Sequence, residues 1–180
     1  DVEPVIAGIE HVVVSHDNCP GQTVVCGPPE QAGRALAALR EAGILGYTLD
    51  FQSGFHTPFI ERSLGEFRAY LDGFEISPAR VPMWSATTTG PYPTDRQEII
   101  EQHLRHLVEP VRFRPVVDRL YEEAGARIFV QAGVGTLTGF VEDTLGDRDH
   151  ATIAVVTPKR TALAQAWRLL TALWTEGVPV

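Results

Sequence analysis

The residue of this chain best suited to chemistry is a histidine set between turn residues and a proline, in the string Gln52-Ser53-Gly54-Phe55-His56-Thr57-Pro58-Phe59. An imidazole takes a proton from a hydroxyl or thiol and returns it to a leaving group near neutral pH, provided its second nitrogen is held by an acceptor. His56 falls where a strand end meets a helix start, a junction at which proteins often display functional groups. The residues alone leave two readings open, a general base and a histidine hydrogen-bonded within a packed turn. His103 and His106, three apart on a helix, suggest a metal site. They come with no third ligand of recognisable spacing and no His-Glu-x-x-His, so no metal is expected. His11, His16 and His150 fall at strand ends and read as surface or core-edge residues. Cys19 and Cys26 read as free buried thiols, since two cysteines make no disulfide framework. Ser15, Ser53, Ser63, Ser77 and Ser85 have no glycine-flanked elbow that would expose a nucleophile. Gly133-Val134-Gly135-Thr136-Leu137-Thr138-Gly139 lacks the Gly-Lys-Ser/Thr ending of a phosphate loop.

The elements that must position His56 follow from periodicity and punctuation. Residues 11–16 and 22–26 are β-branched runs joined by the turn chemistry of Asp17-Asn18-Cys19-Pro20-Gly21. Pro28-Pro29-Glu30 opens a helix over 31–42 that stops at Gly43, and a strand is expected over 46–51. Strand, hairpin, strand, helix and strand make most of a ferredoxin-like unit. Further helices are expected over 59–73, from a cap at Thr94 or Asp95 to 107, and over 113–124, 137–145 and 161–174. Apolar strands are expected over 81–86, 126–131 and 151–157. Of these, 81–86 and 126–131 read as the two members of a central parallel sheet, too few to make a doubly covered sheet by themselves. The architecture is α/β.

With 180 residues the chain suffices for one ordinary domain or two small subdomains. Hydrophobic residues at 44% and charged residues at 21% indicate a globular protein, and a net charge of −8 argues against binding nucleic acid. No apolar run reaches the roughly 18 residues of a membrane span, and no leader pattern opens the sequence, so a reducing cytoplasm is expected.

Three strings, Asn18-Cys19-Pro20-Gly21-Gln22, Phe55-His56-Thr57-Pro58 and Leu107-Val108-Glu109-Pro110-Val111-Arg112-Phe113, are together similar to the second half of the malonyl-CoA:acyl-carrier-protein acyltransferase family. That family includes the acyltransferase domains of polyketide and polyunsaturated-fatty-acid synthases, and the likeness covers nearly the whole chain. It implies a ferredoxin-like small subdomain over 9–54, the C-terminal part of an α/β-hydrolase-like acyltransferase core over 55–156, and a C-terminal helix leading into a linker over 157–180. It implies that His56 is the general base and that the main-chain oxygen of His106 holds its second nitrogen, at a position where Asn or Gln is commoner. Asn18 is implied to close over the acyl site, with Gln22 a weaker member of the same string; by its residue type alone Asn18 is equally an Asx-turn residue. Phe55 is implied to fill the space an α-methyl group would need, which favours malonyl over branched units. Gln131 and Val134 stand where the family has Glu and Pro, in a turn read as structural.

The same resemblance defines what the chain does not carry. The family's nucleophilic serine sits in a Gly-His-Ser-x-Gly turn upstream, as do the oxyanion-hole glutamine and the arginine for the malonyl carboxylate. The implied partners are therefore the N-terminal half of the acyltransferase domain, malonyl-CoA or a related acyl-CoA, and an acyl carrier protein with its phosphopantetheine arm. No cofactor is implied beyond the CoA thioester as substrate. The polypeptide by itself is expected to form no acyl-enzyme. A contrasting reading is a non-catalytic module that docks a carrier protein through Arg62, Arg68 and Arg80, which the acidic balance of the chain opposes.

Overall fold

The computed structural model describes residues 1–158 and 160–180, which divide into two compact units. The first holds residues 1–18 and 22–113. A short helix α1 (Glu3–Ile6) precedes strands β1 (Val13–Cys19) and β2 (Gln22–Cys26) and helix α2 (Pro29–Glu41). Pro29 starts α2, where a missing N–H costs nothing. Gly43, at φ 75°, ends it: Gly43 N–H donates to the Arg40 carbonyl at 3.0 Å and Ile44 N–H to the Leu39 carbonyl at 2.8 Å. Those are the paired bonds of a Schellman motif, and they require the left-handed backbone that glycine adopts without strain. Ile44 then packs with Val12, Val14 and Val25 around the buried trio Ile6, Ala35 and Leu39.

Beyond this core a 3-10 helix (Pro58–Ser63) leads into α3 (Leu64–Asp72), a two-residue ladder pairs β3 (Trp84–Ser85) with β4 (Gly90–Pro91), and α4 (Arg96–Val108) follows. Asp95 caps α4, its carboxylate accepting from Gln97 N at 2.9 Å and Glu98 N at 3.1 Å. Ile99, Ile100 and Leu104 form its buried face. Strand β5 (Val111–Arg112) leaves α4 and joins the sheet in the order β2-β1-β5, parallel to β1 with His16 opposite Val111 and Asp17 opposite Arg112.

The second unit holds residues 19–21 and 114–180. Helix α5 (Phe113–Glu122) runs into it, and β6 (Ile128–Gln131), α6 (Leu137–Leu145) and β7 (Ala151–Ala154) form a strand-helix-strand crossover with the strands parallel. Val141, Leu145 and Ile153 are buried there. Gln131 organises the β6–α6 turn, donating to the Gly133 carbonyl at 2.9 Å and accepting from Thr138 N at 3.1 Å, in keeping with a structural glycine-rich turn. Gly21 N–H donates to the Asp143 carboxylate at 2.8 Å. Helix α7 (Ala162–Thr175) is capped by Thr161, whose hydroxyl accepts from Ala164 N at 3.3 Å.

Three expectations are corrected. Residues 46–51 form no strand, so only the first hairpin and helix of the ferredoxin-like unit are present. Strand-forming side chains specify a ladder only when another backbone supplies its hydrogen bonds, and here Leu45 (96% exposed), Tyr47 (76%) and Phe51 (67%) face solvent. Of 81–86 only Trp84–Ser85 is extended and paired, and it is antiparallel to Gly90–Pro91; Pro82 and Pro91 lack the N–H a central strand donates. The parallel partner of 128–131 is 151–154 instead.

Candidate active site

The site grows from the C-terminal end of α4. A carbonyl in the last turn of a helix lacks an intrahelical donor. For His106 this is built into the sequence: the residue four positions on is Pro110, which has no N–H. The His106 carbonyl is thereby freed, and His56 Nδ1 lies 2.6 Å from it. The next carbonyl, of Leu107, accepts from the His56 backbone N–H at 2.7 Å. Two successive carbonyls of one helix end thus fix both the backbone and the ring of His56. Arg105 steadies that end by a bidentate pair with Glu109, at 2.6 and 3.1 Å, and this bonding holds the Glu109 carboxyl below its ordinary pKa.

His56 itself occupies the left-handed region at φ 63°, a conformation uncommon outside glycine and one that persists where surrounding bonds over-determine it. Those bonds are local. Thr57, fully buried, donates its hydroxyl to the Gly54 carbonyl at 2.6 Å and accepts from Phe59 N at 3.3 Å, capping the 3-10 helix that Pro58 opens. Ser53 Oγ accepts from Phe55 N at 3.2 Å.

Because a carbonyl only accepts, His56 Nδ1 carries the hydrogen in this bond, and in the neutral ring the lone pair is on Nε2. Among the described residues, no hydrogen bond engages Nε2. The half-buried ring therefore has one nitrogen anchored and the other free to take a proton, which is the arrangement of an oriented general base. The carbonyl end of α4 complements the positive charge that the ring acquires on doing so.

The four residues singled out from sequence are not equally placed. His56 and His106 are brought into direct contact. The Phe55 ring, 48% exposed, lies with its centroid 6.4 Å from that of His56. Asn18 is engaged elsewhere, donating to Gln22 Oε1 at 2.7 Å across its own turn, and shows no bond to the histidines.

Other residues enter that sequence reasoning passed over. His16, read as a core-edge residue, is in ring contact with His56, centroids 4.9 Å apart. Strand parity sets Val14, His16 and Asn18 on one face of β1, but no local signal marks His16 as part of a site. Thr87, fully buried, lies with its hydroxyl 2.7 Å from His106 Nδ1. Its loop is pinned in turn by Ser85 Oγ, which accepts from Thr87 N at 3.1 Å and from the buried Gln102 amide at 2.7 Å. Burial, then the neighbouring His56, holds the His16 and His106 imidazoles below the ordinary histidine pKa. Cys26 donates its thiol to the Ser53 carbonyl at 3.2 Å, and burial raises its pKa, so it offers no reactive thiolate. Among the described residues no group of three His, Cys, Asp or Glu side chains is arranged to hold a metal ion.

A family described as "Acyl transferase domain" matches residues 1–175, and the chain belongs to it. It is similar to one of the subunits of the polyunsaturated fatty acid synthase of a Thraustochytrium species, 29% identical over 161 residues that cover 88% of this chain and 6% of that one. It is similar as well to the malonyl CoA-acyl carrier protein transacylase of Bacillus subtilis, 30% identical over 155 residues that cover 85% of this chain and 48% of that one. The acyltransferase domain from the second module of the salinomycin polyketide synthase superposes with a TM-score of 0.85 at 26% identity, over 99% of this chain and 42% of that one. The chain thus spans about half or less of the length of these relatives.

Proposed function

We propose that the chain is the base-bearing part of an acyltransferase domain from a polyketide or fatty-acid synthase. It acts together with an N-terminal half that supplies the serine, and moves a malonyl-type group from CoA to the phosphopantetheine arm of an acyl carrier protein. In the first half-reaction His56 Nε2 takes the serine hydroxyl proton as the oxygen attacks the thioester carbonyl. The tetrahedral intermediate collapses, the carbon–sulfur bond breaks, and the imidazolium returns the proton to the CoA sulfur. In the second half-reaction Nε2 takes the pantetheine thiol proton, the sulfur attacks the serine ester, and the proton goes back to the serine oxygen. No redox group or metal is needed for these steps.

The observation that carries this reading is His56 Nδ1 held at 2.6 Å by the His106 carbonyl, with Nε2 left free. Phe55 beside the base is the basis for a malonyl preference, since its ring takes up the room of an α-methyl group. Asn18 closes over the acyl group once the site is complete. The division into a small subdomain over 9–54, large-subdomain elements over 55–156 and a terminal helix with linker over 157–180 belongs to the same reading. So does a cytoplasmic setting; no described helix is long and apolar enough to cross a membrane. The non-catalytic docking module finds no observation in its favour, since one of its three cations, Arg68, is already paired with Glu101.

The test is acyl loading from radiolabelled malonyl-CoA, read on a denaturing gel. A complete domain containing this chain acquires label, and His56→Gln slows loading about 10²- to 10⁴-fold with folding intact. The 180-residue chain alone acquires none. Undiminished loading in the His56→Gln domain sinks the proposal.

A further inference from the structure

His56 is one of three imidazoles in mutual reach. The His16 ring meets it at a centroid distance of 4.9 Å with planes at 80°, and the His106 ring at 4.6 Å with planes at 60°. Each outer ring is anchored through its own Nδ1 to a hydroxyl: His16 to Ser15 Oγ at 3.0 Å, His106 to Thr87 Oγ1 at 2.7 Å. Ser15 also lies 3.2 Å from the Val24 carbonyl, which can only accept, so that bond uses the single hydroxyl hydrogen. Both Ser15 contacts are made at once only when His16 Nδ1 carries the hydrogen and Ser15 Oγ receives it. A hydrogen on Nδ1 suits either charge state, and in the neutral ring the lone pair is on Nε2. Charging two rings this close sets like charges against each other in a half-buried site.

We propose that His16 and the side chain of His106 are positioning residues, bracing the His56 ring while remaining neutral themselves, so that the one proton the cluster carries is carried by His56. This rests on the reading of His56 as the base and deepens it: a neighbour that captured the proton would repel the charge the base must acquire. The surrounding groups fit. His103, on α4, acts on His106 in the same direction as His56 does. Arg112 on β5 donates its guanidinium to the Thr87 carbonyl and stands 3.9 Å from Glu109, and among the described residues the groups that act on the outer rings are histidines, with no carboxylate among them. Burial acts on both outer rings in the same sense.

Long-range proton–nitrogen NMR of the imidazoles, on the 180-residue chain at a series of pH values, tests this without any acyl transfer. At pH 7, His16 is expected as the neutral tautomer with hydrogen on Nδ1, and His106 as neutral. In His56→Gln the pH at which His16 and His106 charge is expected to move upward, because a like charge has been removed. A charged His16, a His16 with its hydrogen on Nε2, or midpoints that stay put in the variant would each overturn the proposal. Should the variant fail to fold, the tautomer and charge of His16 and His106 in the unaltered chain decide the matter. The loading assay tests the base separately, so either idea can fail without the other.

Discussion

Two stretches of the first unit, both rich in apolar residues, meet opposite fates. Helix α4 is bonded at both ends and packed along one face: Asp95 takes its first free N–H groups, Ile99, Ile100 and Leu104 are buried, Gln102 reaches Ser85, and its terminal carbonyls receive His56. Residues 45–51, with Leu45, Tyr47, Leu49 and Phe51 alternating with small and polar residues, join no ladder among the described residues and lie open to solvent. A helix satisfies its backbone within its own sequence and needs neighbours only for its apolar stripe. A strand takes all its ladder hydrogen bonds from another segment, so alternation announces a readiness to pair and nothing more. His56 is therefore hung on the kind of element that is self-sufficient, its ring and its backbone held by carbonyls that the helix geometry leaves over.

The comparison breaks first where it is strongest. Ile100 has no exposed surface, and Ile100→Ala is expected to lower the unfolding free energy of the chain by about 2–5 kcal/mol. Urea titration followed by circular dichroism measures this. A loss well under 1 kcal/mol would mean that α4 is not the anchored element its contacts imply.

Next in size is the polar support. Thr87→Val keeps the shape and deletes the hydroxyl, leaving His106 Nδ1 without its partner in a half-buried setting. The cost is about 1–3 kcal/mol in the same titration, and the His106 ring resonances are expected to shift with it. Loss of stability without any change at His106 would detach the Ser85–Thr87 loop from the site.

How much of this was legible follows from the reach of each interaction. The pairing of His56 with the His106 carbonyl was expected from the family resemblance, which short strings carry; the left-handed turn closed by Thr57 and Pro58, and the donor that Pro110 removes, are the local reasons the structure adds. Helix α6 was placed to the residue, since periodicity and a following glycine are local. His16 and Thr87 were not readable. Their partners lie 40 and 19 positions away, and no local pattern separates a histidine facing another ring from one facing water. Residues 46–51 misled because their side chains are fit for a strand and, among the described residues, no strand pairs with them. The short β5, parallel to β1, went unforeseen because two residues are too few for any alternation to register.

The smallest expected effect sharpens the comparison most. Leu45→Ser and Tyr47→Ser place polar groups where the side chains are 96% and 76% exposed, so in the isolated chain each should change stability by less than about 0.5 kcal/mol. Removing contiguous apolar surface should also reduce concentration-dependent self-association, which sedimentation velocity reads directly. In a complete acyltransferase domain, under the proposed function, the same segment is expected to be covered by the N-terminal half. Burying a leucine side chain is worth about 1.5–3 kcal/mol, so Leu45→Ser should then cost several times more than in the chain alone. A ratio near one would mean that 45–51 is an exposed loop by design. A cost in the isolated chain as large as that of Ile100→Ala would mean the segment is already packed in solution, and the contrast between the two stretches would collapse.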